Sequence, residues 1–387
     1  MKSLFICQEF KLNVPRSERV RAIAGSSGCE NNVILYFDNC SKEPNLLSNH
    51  LIVLHIGLFS KYTLFRDFCK KRSRFFLVNK FLGLVEKICN TSIKLDKWEF
   101  YHHQIVKSVV KGNFEQIIIS VAPFSNLMLC SEIRKGGYRG KLVLDIGDPL
   151  ADNPALDIHN RVDLYKYEAE GIQHADGLIV TNQYTKNYYL KQYNYSGQIA
   201  IIPNGYWPSS GSFPLKLYLS YKRISAIYAG ALYEKLRPIK PLLNVIKSYY
   251  DDMELVLISN HRPDFDANNI KYFPRMNHDE LQGFYKRANL LVYIDNTTGI
   301  QTSSKLFELL SLGKPILFLY NFESENYLKA QKYPWVHFIR NEEIAISNFL
   351  TRDLLGKNIE YQPDYVDVKK YTWSETRTAY FKALNIV

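Results

Sequence analysis

The sequence predicts an α/β protein built as two doubly wound, Rossmann-like domains that face a cleft. Three observations predict it. Short apolar runs alternate with helical stretches from one end of the chain to the other. Several of those runs are apolar on consecutive residues, as strands covered on both faces of a parallel sheet must be. One segment rich in Pro, Gly and Ser, PNGYWPSSGSFP at 203–214, interrupts the rhythm, and the alternation then starts again.

The elements follow in order. Strand candidates before the interruption span 3–10, 32–37, 50–56, 114–120, 141–147, 177–182 and 198–204. Helical patterns lie between most of them, including DLYKYEAEGIQHA at 163–175. After the interruption come strands at 224–230, 253–259, 270–273, 289–295 and 315–320. Helices are expected from about 238, over 278–288, and immediately before the last of these strands. A closing helix at 374–386 has apolar positions that suit either domain. The expected organisation is an N-terminal domain 1–205, a C-terminal domain 206–370, and a helix within 371–387 that packs back on the first domain or lies on the second. In such sheets ligands bind at the carboxyl ends of strands, and with two domains the natural site is between them.

Composition bounds the class. A chain of 387 residues can build two full cores, and 46% hydrophobic with 22% charged content is ordinary for a soluble globular protein. No stretch approaches the roughly 18 uninterrupted apolar residues of a membrane span. The opening MKSLFICQEF meets Glu9 and Lys11 early and reads as a first strand, not a secretory leader. Six cysteines (Cys7, Cys29, Cys40, Cys69, Cys89, Cys130) form no C-x-x-C pair and no His stands at ligand spacing. Reduced, mostly buried thiols in a cytoplasmic protein without a metal site are expected.

The net charge of +11 is unevenly spread, with twelve Lys/Arg against four Asp/Glu between residues 61 and 111. Lys70, Lys71, Arg72, Arg74 and Lys80 interleave there with Phe75, Phe76, Leu77, Phe81, Leu82, Leu84 and Val85. Basic and bulky apolar residues together suit a helix resting on an anionic membrane surface. A nucleic acid would answer the same positive field, and a buried helix with a solvated basic end would show the same composition.

The most informative stretch is QTSSKLFELLSLGKPILFL at 301–319. Thr302, Ser303 and Ser304 are placed to cap a helix whose first free N–H groups carry partial positive charge. Lys305 adds a full charge at that end, which suits a phosphate. Glu308 lies one turn deeper on the same face, where a carboxylate can accept from two neighbouring hydroxyls such as those of a ribose. Capped helices running into buried strands occur in any α/β protein, so the companion segment matters. In YAGALYEKLRPIKPLL at 228–243 a strand ends at Gly230, where a backbone without Cβ permits close approach. Tyr233, Lys235 and Arg237 occupy the loop that follows, and Arg237 can fork onto a phosphate while Lys235 acts as a point charge. In the first half, Asp145 and Asp148 in DIGDPLADNP follow a strand and so reach the cleft, although Asp148-Pro149 also reads as plain turn chemistry. No Ser-His-Asp order, G-x-G-x-x-G or P-loop is present.

The order strand-Gly-x-x-Tyr-x-x-x-Arg-Pro-x-x-Pro-Leu-Leu, then ANLLVYI, then S-x-K-L-F-E-L-L-x-x-G-K-P-I-L resembles the nucleotide-binding domain of GT-B glycosyltransferases, specifically family 4. IIPNG at 201–205 resembles the hinge by which such enzymes enter their second domain. The resemblance implies Glu308 on the ribose, Lys305 with Ser304 on the phosphates, Arg237 on the diphosphate, and the loop of Pro274, Arg275 and Met276 against the base. It places Arg16 and Arg19, in an early loop, where relatives receive acceptor or donor phosphates. Two positions depart from the family pattern. Ile300 stands eight residues before Glu308, near where many members carry a second glutamate, and Thr298, Gly299, Gln301 and Thr302 surround it. Gly230-Ala231 stands where many have Gly-Arg.

The activity implied is retaining transfer of a hexose-type residue from a UDP- or GDP-sugar donor to a lipid-linked or growing glycan acceptor in polysaccharide biosynthesis. Arg237, Lys305 and Asp148 would serve the reaction. The nucleotide-sugar is a substrate, so no cofactor and no metal are required. The location implied is cytoplasmic, peripheral on the inner face of the membrane, with no nucleic-acid partner expected. A sugar-nucleotide epimerase of the same fold, and a basic nucleic-acid-binding protein, are the alternatives.

Overall fold

The computed structural model describes residues 2–7, 15–24, 32–36, 51–53, 68–69, 75–78, 80–84, 99, 102–153, 161–208, 217–220, 223–299, 303, 305–361 and 366–387. Lys70, Lys71, Arg72, Arg74, Thr302 and Ser304 lie outside them.

The first sheet holds seven parallel strands: β1 (Ser3–Cys7), β2 (Asn32–Tyr36), β3 (Leu51–Val53), β4 (Gln116–Ser120), β5 (Lys141–Ile146), β6 (Gly177–Val180) and β7 (Gln198–Ile201), in the order 3-2-1-4-5-6-7. The second holds six, β9 (Ile224–Ala229), β10 (Met253–Ser259), β11 (Ile270–Pro274), β12 (Leu290–Ile294), β13 (Ile316–Tyr320) and β14 (Val336–Arg340), in the order 11-10-9-12-13-14. Both orders are doubly wound, and all pairings within these sheets are parallel. The sequence located twelve of these thirteen strands and passed over β14. A small antiparallel pair, β8 (Leu217–Ser220) with β15 (Asn358–Tyr361), was also unforeseen.

The continuous apolar runs have their expected cause. Along β1, Leu4 and Ile6 enter the core on one face of the sheet while Phe5 and Cys7 enter the core on the other. Along β13, Leu317 and Leu319 alternate in the same way with Ile316 and Phe318. Each such fully buried side chain contributes about 1.5–3 kcal/mol, which is why polar residues are absent from these positions.

The chain passes between the domains twice, and the two passages are joined. Tyr206 N donates to Tyr371 O at 3.0 Å and Trp373 N donates to Tyr206 O at 3.1 Å. Gly205 is required here: a Cβ would stand 2.7 Å from the Trp373 ring. The closing helix Trp373–Leu384, capped by the Thr372 hydroxyl, then lies on the first domain. Tyr380, Ala383 and Leu384 share a core with Phe5, Ile118, Val143 and Ile179.

Candidate functional site

In each doubly wound sheet a crevice opens where the strand order reverses, because consecutive helices there leave to opposite faces. In the second sheet that point lies between β9 and β12. The loops after these two strands are stitched together. Thr297 N donates to Leu236 O at 2.9 Å, Thr297 Oγ1 to Lys235 O at 2.8 Å, and Arg237 Nε to Asn296 Oδ1 at 2.6 Å. Below them a buried polar network braces the β12 loop. Asp295 accepts from Tyr293 Oη at 3.1 Å and from Ser324 Oγ, and burial pushes its carboxyl above the usual range. Asn326 Nδ2 donates to Tyr293 Oη at 2.7 Å and to Ser303 O at 3.3 Å. Ser303 Oγ accepts from Lys305 N at 3.4 Å, so it serves the helix start as the sequence implied.

The helix Lys305–Ser311 turns Lys305 and Glu308 to one face. Lys305 Nζ lies 2.8 Å from Glu308 Oε2 and 5.5 Å from the centre of the Tyr285 ring. Burial works against the ammonium, but Glu308 and Tyr285 outweigh it and raise its value. Glu308 Oε1 is buried with no partner among the described residues. Tyr228 completes the group: burial raises its phenol, opposed by Arg237 and Lys305 nearby. The structure therefore gathers Arg237, Lys305 and Glu308 around two tyrosines, Tyr228 and Tyr285, that the sequence reading did not single out. Aromatic residues at such positions read as core, and these two are indeed buried.

Other expected donor residues lie around the rim. Tyr233 and Lys235 are exposed on the β9 loop and Arg275 is exposed after β11. Gly230 N donates to Ile258 O at 3.0 Å. Thr298 keeps a buried Oγ1 without a partner among the described residues.

The first domain brings Asp148 within electrostatic reach of this group. Burial raises its carboxyl, with Arg16 of its own domain and then Arg237 of the other drawing it back. The two domains also touch directly, as Gln183 N donates to Glu325 Oε2 at 2.8 Å. A Cβ at Gly299 would stand 2.9 Å from the Tyr184 ring, so the close approach there depends on glycine.

Arg16 and Arg19 lie on a helix, Pro15–Ala24, and not in a loop, and Arg19 and Asp145 are buried away from where a ligand was expected. Asp145 is fully engaged beneath the surface: Arg19 Nε at 2.9 Å, Arg16 Nη2 at 3.0 Å and Tyr380 Oη at 3.0 Å all donate to it. Burial opposes its ionisation, but the two guanidiniums prevail and hold it below the usual carboxylate range. Arg19 is completely buried and continues to Pro203 O and Asn204 Oδ1, both at 3.1 Å. It ties its helix to the interdomain hinge and is out of reach of an acceptor. Arg16 is half-buried and retains Nε and Nη1 without partners among the described residues. No cluster of His, Cys, Asp or Glu among the described residues is arranged to hold a metal ion.

Two doubly wound domains with facing strand ends, joined by a double passage and closed by a helix returned to the first, constitute the GT-B fold. No family model and no curated protein matches the chain by sequence. Solved structures resemble it over their full lengths. A sucrose-phosphate synthase from Thermosynechococcus elongatus superposes with a TM-score of 0.65 at 11% identity, over 99% of this chain and 98% of that one. The lipopolysaccharide outer core galactosyltransferase WaaB gives 0.60 at 12% identity over 100% and 99%. An E. coli trehalose-6-phosphate structure bound with UDP-2-fluoro glucose gives 0.62 at 9% identity over 100% and 99%.

Proposed function

We propose that the protein is a glycosyltransferase that moves a hexose-type residue from a UDP- or GDP-sugar to a lipid-linked or growing glycan, with retention of configuration. The observation that carries this reading is the Lys305–Glu308 pair beside Arg237 at the second domain's switch point, with one Glu308 oxygen that has no partner among the described residues. A ribose hydroxyl fits that oxygen, and a diphosphate fits the two cations. The resemblance to structures that include a lipopolysaccharide galactosyltransferase and one bound with UDP-2-fluoro glucose agrees with a nucleotide-sugar donor and a glycan acceptor.

In this mechanism Arg237 and Lys305 stabilise the negative charge that develops on the departing diphosphate. Ser304 and Thr302 would join them at the phosphates, and the loop carrying Arg275 would rest against the base. With two cations in that role no metal is required. Asp148 meets a sugar or acceptor hydroxyl from the opposite wall, Arg16 offers an acceptor phosphate the N–H groups that have no partner among the described residues, and the diphosphate itself takes the acceptor's proton. Domain closure keeps out the water that would hydrolyse the donor.

An acceptor held in lipid requires the enzyme at a membrane. Phe76, Leu77, Phe81 and Leu84 are 66%, 77%, 64% and 55% exposed, and the neighbouring sequence carries Lys70, Lys71, Arg72 and Arg74. Apolar side chains set among cations favour anionic lipid at the inner membrane face. No helix among the described residues is long and apolar enough to cross a membrane.

A thermal-shift series with UDP, GDP and their sugars tests the reading, since a ligand that binds only the folded chain raises Tm. A rise with one diphosphate, lost in Glu308→Ala, is expected. No rise with any nucleotide, or one that Glu308→Ala leaves intact, overturns the assignment. Flotation with anionic vesicles checks the membrane part separately.

A further inference from the structure

Glu168, on the helix Arg161–Gln173, is completely buried, yet its hydrogen-bond partners among the described residues are all neutral. Its Oε1 accepts from Leu150 N at 2.8 Å and Tyr189 Oη at 2.7 Å. Its Oε2 accepts from Ala151 N at 3.1 Å, Tyr188 Oη at 3.1 Å and Tyr193 Oη at 2.7 Å. Five donors saturate the acceptor capacity of a carboxylate. Burial first, and the Glu168 charge second, push all three phenols upward, so they stay protonated and keep donating. The rings pack on one another, Tyr189 and Tyr193 stacked at 5.9 Å.

The donors come from two segments that line the cleft. Leu150 and Ala151 follow Asp148 by two and three residues in the loop after β5. The three tyrosines belong to the helix Gln183–Tyr193, whose first residues make the contacts with Glu325 and Gly299 of the second domain. A buried carboxylate is costly unless its lone pairs are satisfied; losing it strips both backbone amides and the Tyr189 hydroxyl of this acceptor together and leaves Tyr188 and Tyr193 Oη only each other, at 3.2 Å.

We propose that Glu168 is a positioning residue for the cleft, clamping the Asp148 loop and the helix Gln183–Tyr193 into one unit that the first domain presents to the second. The consequence for turnover rests on the transferase reading above; the clamp itself does not.

Hydrogen exchange read by mass spectrometry on the full chain, without ligand, tests it in Glu168→Gln. Gln keeps the shape but puts an N–H₂ among donors. Peptides covering 148–153 and 183–189 should exchange about tenfold faster, and do so together, because both lose the same acceptor. Peptides of the second sheet should not change. Faster exchange in only one segment, or in neither, overturns the proposal. If Glu168→Gln loses cooperative melting, Tyr188→Phe is used instead: a smaller joint increase supports the clamp, and one confined to its own helix overturns it. With the sugar nucleotide found by thermal shift, Glu168→Gln should lower kcat at least tenfold and leave donor KM within twofold. An equal effect on KM would assign Glu168 to general folding. Failure of the wild-type chain to bind any nucleotide would remove the transferase reading and leave the exchange result standing.

Discussion

The two walls of the cleft use the same kinds of charged residue to opposite ends. In the first domain Arg19 and Asp145 are buried together, and the chain itself supplies the partners that satisfy the carboxylate. In the second, Arg237, Lys305 and Glu308 stand half-buried, and one Glu308 oxygen has nothing to bind among the described residues. A charge whose partners are all internal holds the fold, while one left short of partners at a switch point is available to a ligand.

The largest effect should come from breaking the internal set. Asp145→Asn leaves Arg19 buried without its counter-charge and should cost about 3–5 kcal/mol in urea unfolding. A loss near zero would mean the first wall is no more structural than the second. Lys305→Ala and Arg237→Ala should do the reverse, weakening UDP or GDP binding by calorimetry about 10- to 100-fold, as loss of a hydrogen bond to a charged group implies. Unfolding free energy should shift by under about 1 kcal/mol in each, since these groups are partly solvated. Glu308→Gln should weaken the nucleoside diphosphate about tenfold but leave inorganic pyrophosphate unaffected, because only the former has a ribose. Equal losses for both would move Glu308 from the ribose to the phosphates.

The smallest effect is the response to acid. Asp145 is held below its ordinary 3.8, so the stability it contributes is complete above that pH and is lost as pH falls below it. His337, on the outer strand β14, is lowered from 6.5 by burial, so its contribution is complete above pH 6.5 and declines as pH drops through it. Comparing wild type with Asp145→Asn and His337→Phe by thermal unfolding across pH 3 to 8 would separate the step below pH 3.8 from the one below pH 6.5.

Strands buried on both faces were legible because nothing but apolar side chains fits there. β14, with the burial pattern of an outer strand and the sequence VHFIR, carries His and Arg and gives no such run. The helix PRSERVRAIA has three arginines, and no periodicity distinguishes buried Arg19 from half-buried Arg16. Lys305 and Glu308 were legible because their pairing is three residues apart on one helix, a distance the sequence encodes directly. Tyr228 and Tyr285 were not, because a core tyrosine and one packed beside a cation share the same local pattern.

From the amino acids alone came the two sheets, the break between them and the acid–base spacing of one short helix, all of which depend on neighbours within a turn or a strand. Folding alone decided that Arg19 would meet Asp145 across 126 residues, that the last helix would rest on the first domain, and that Asp148 would come within electrostatic reach of Arg237. Such encounters leave no trace in local periodicity, since they depend on how two completed domains are brought together.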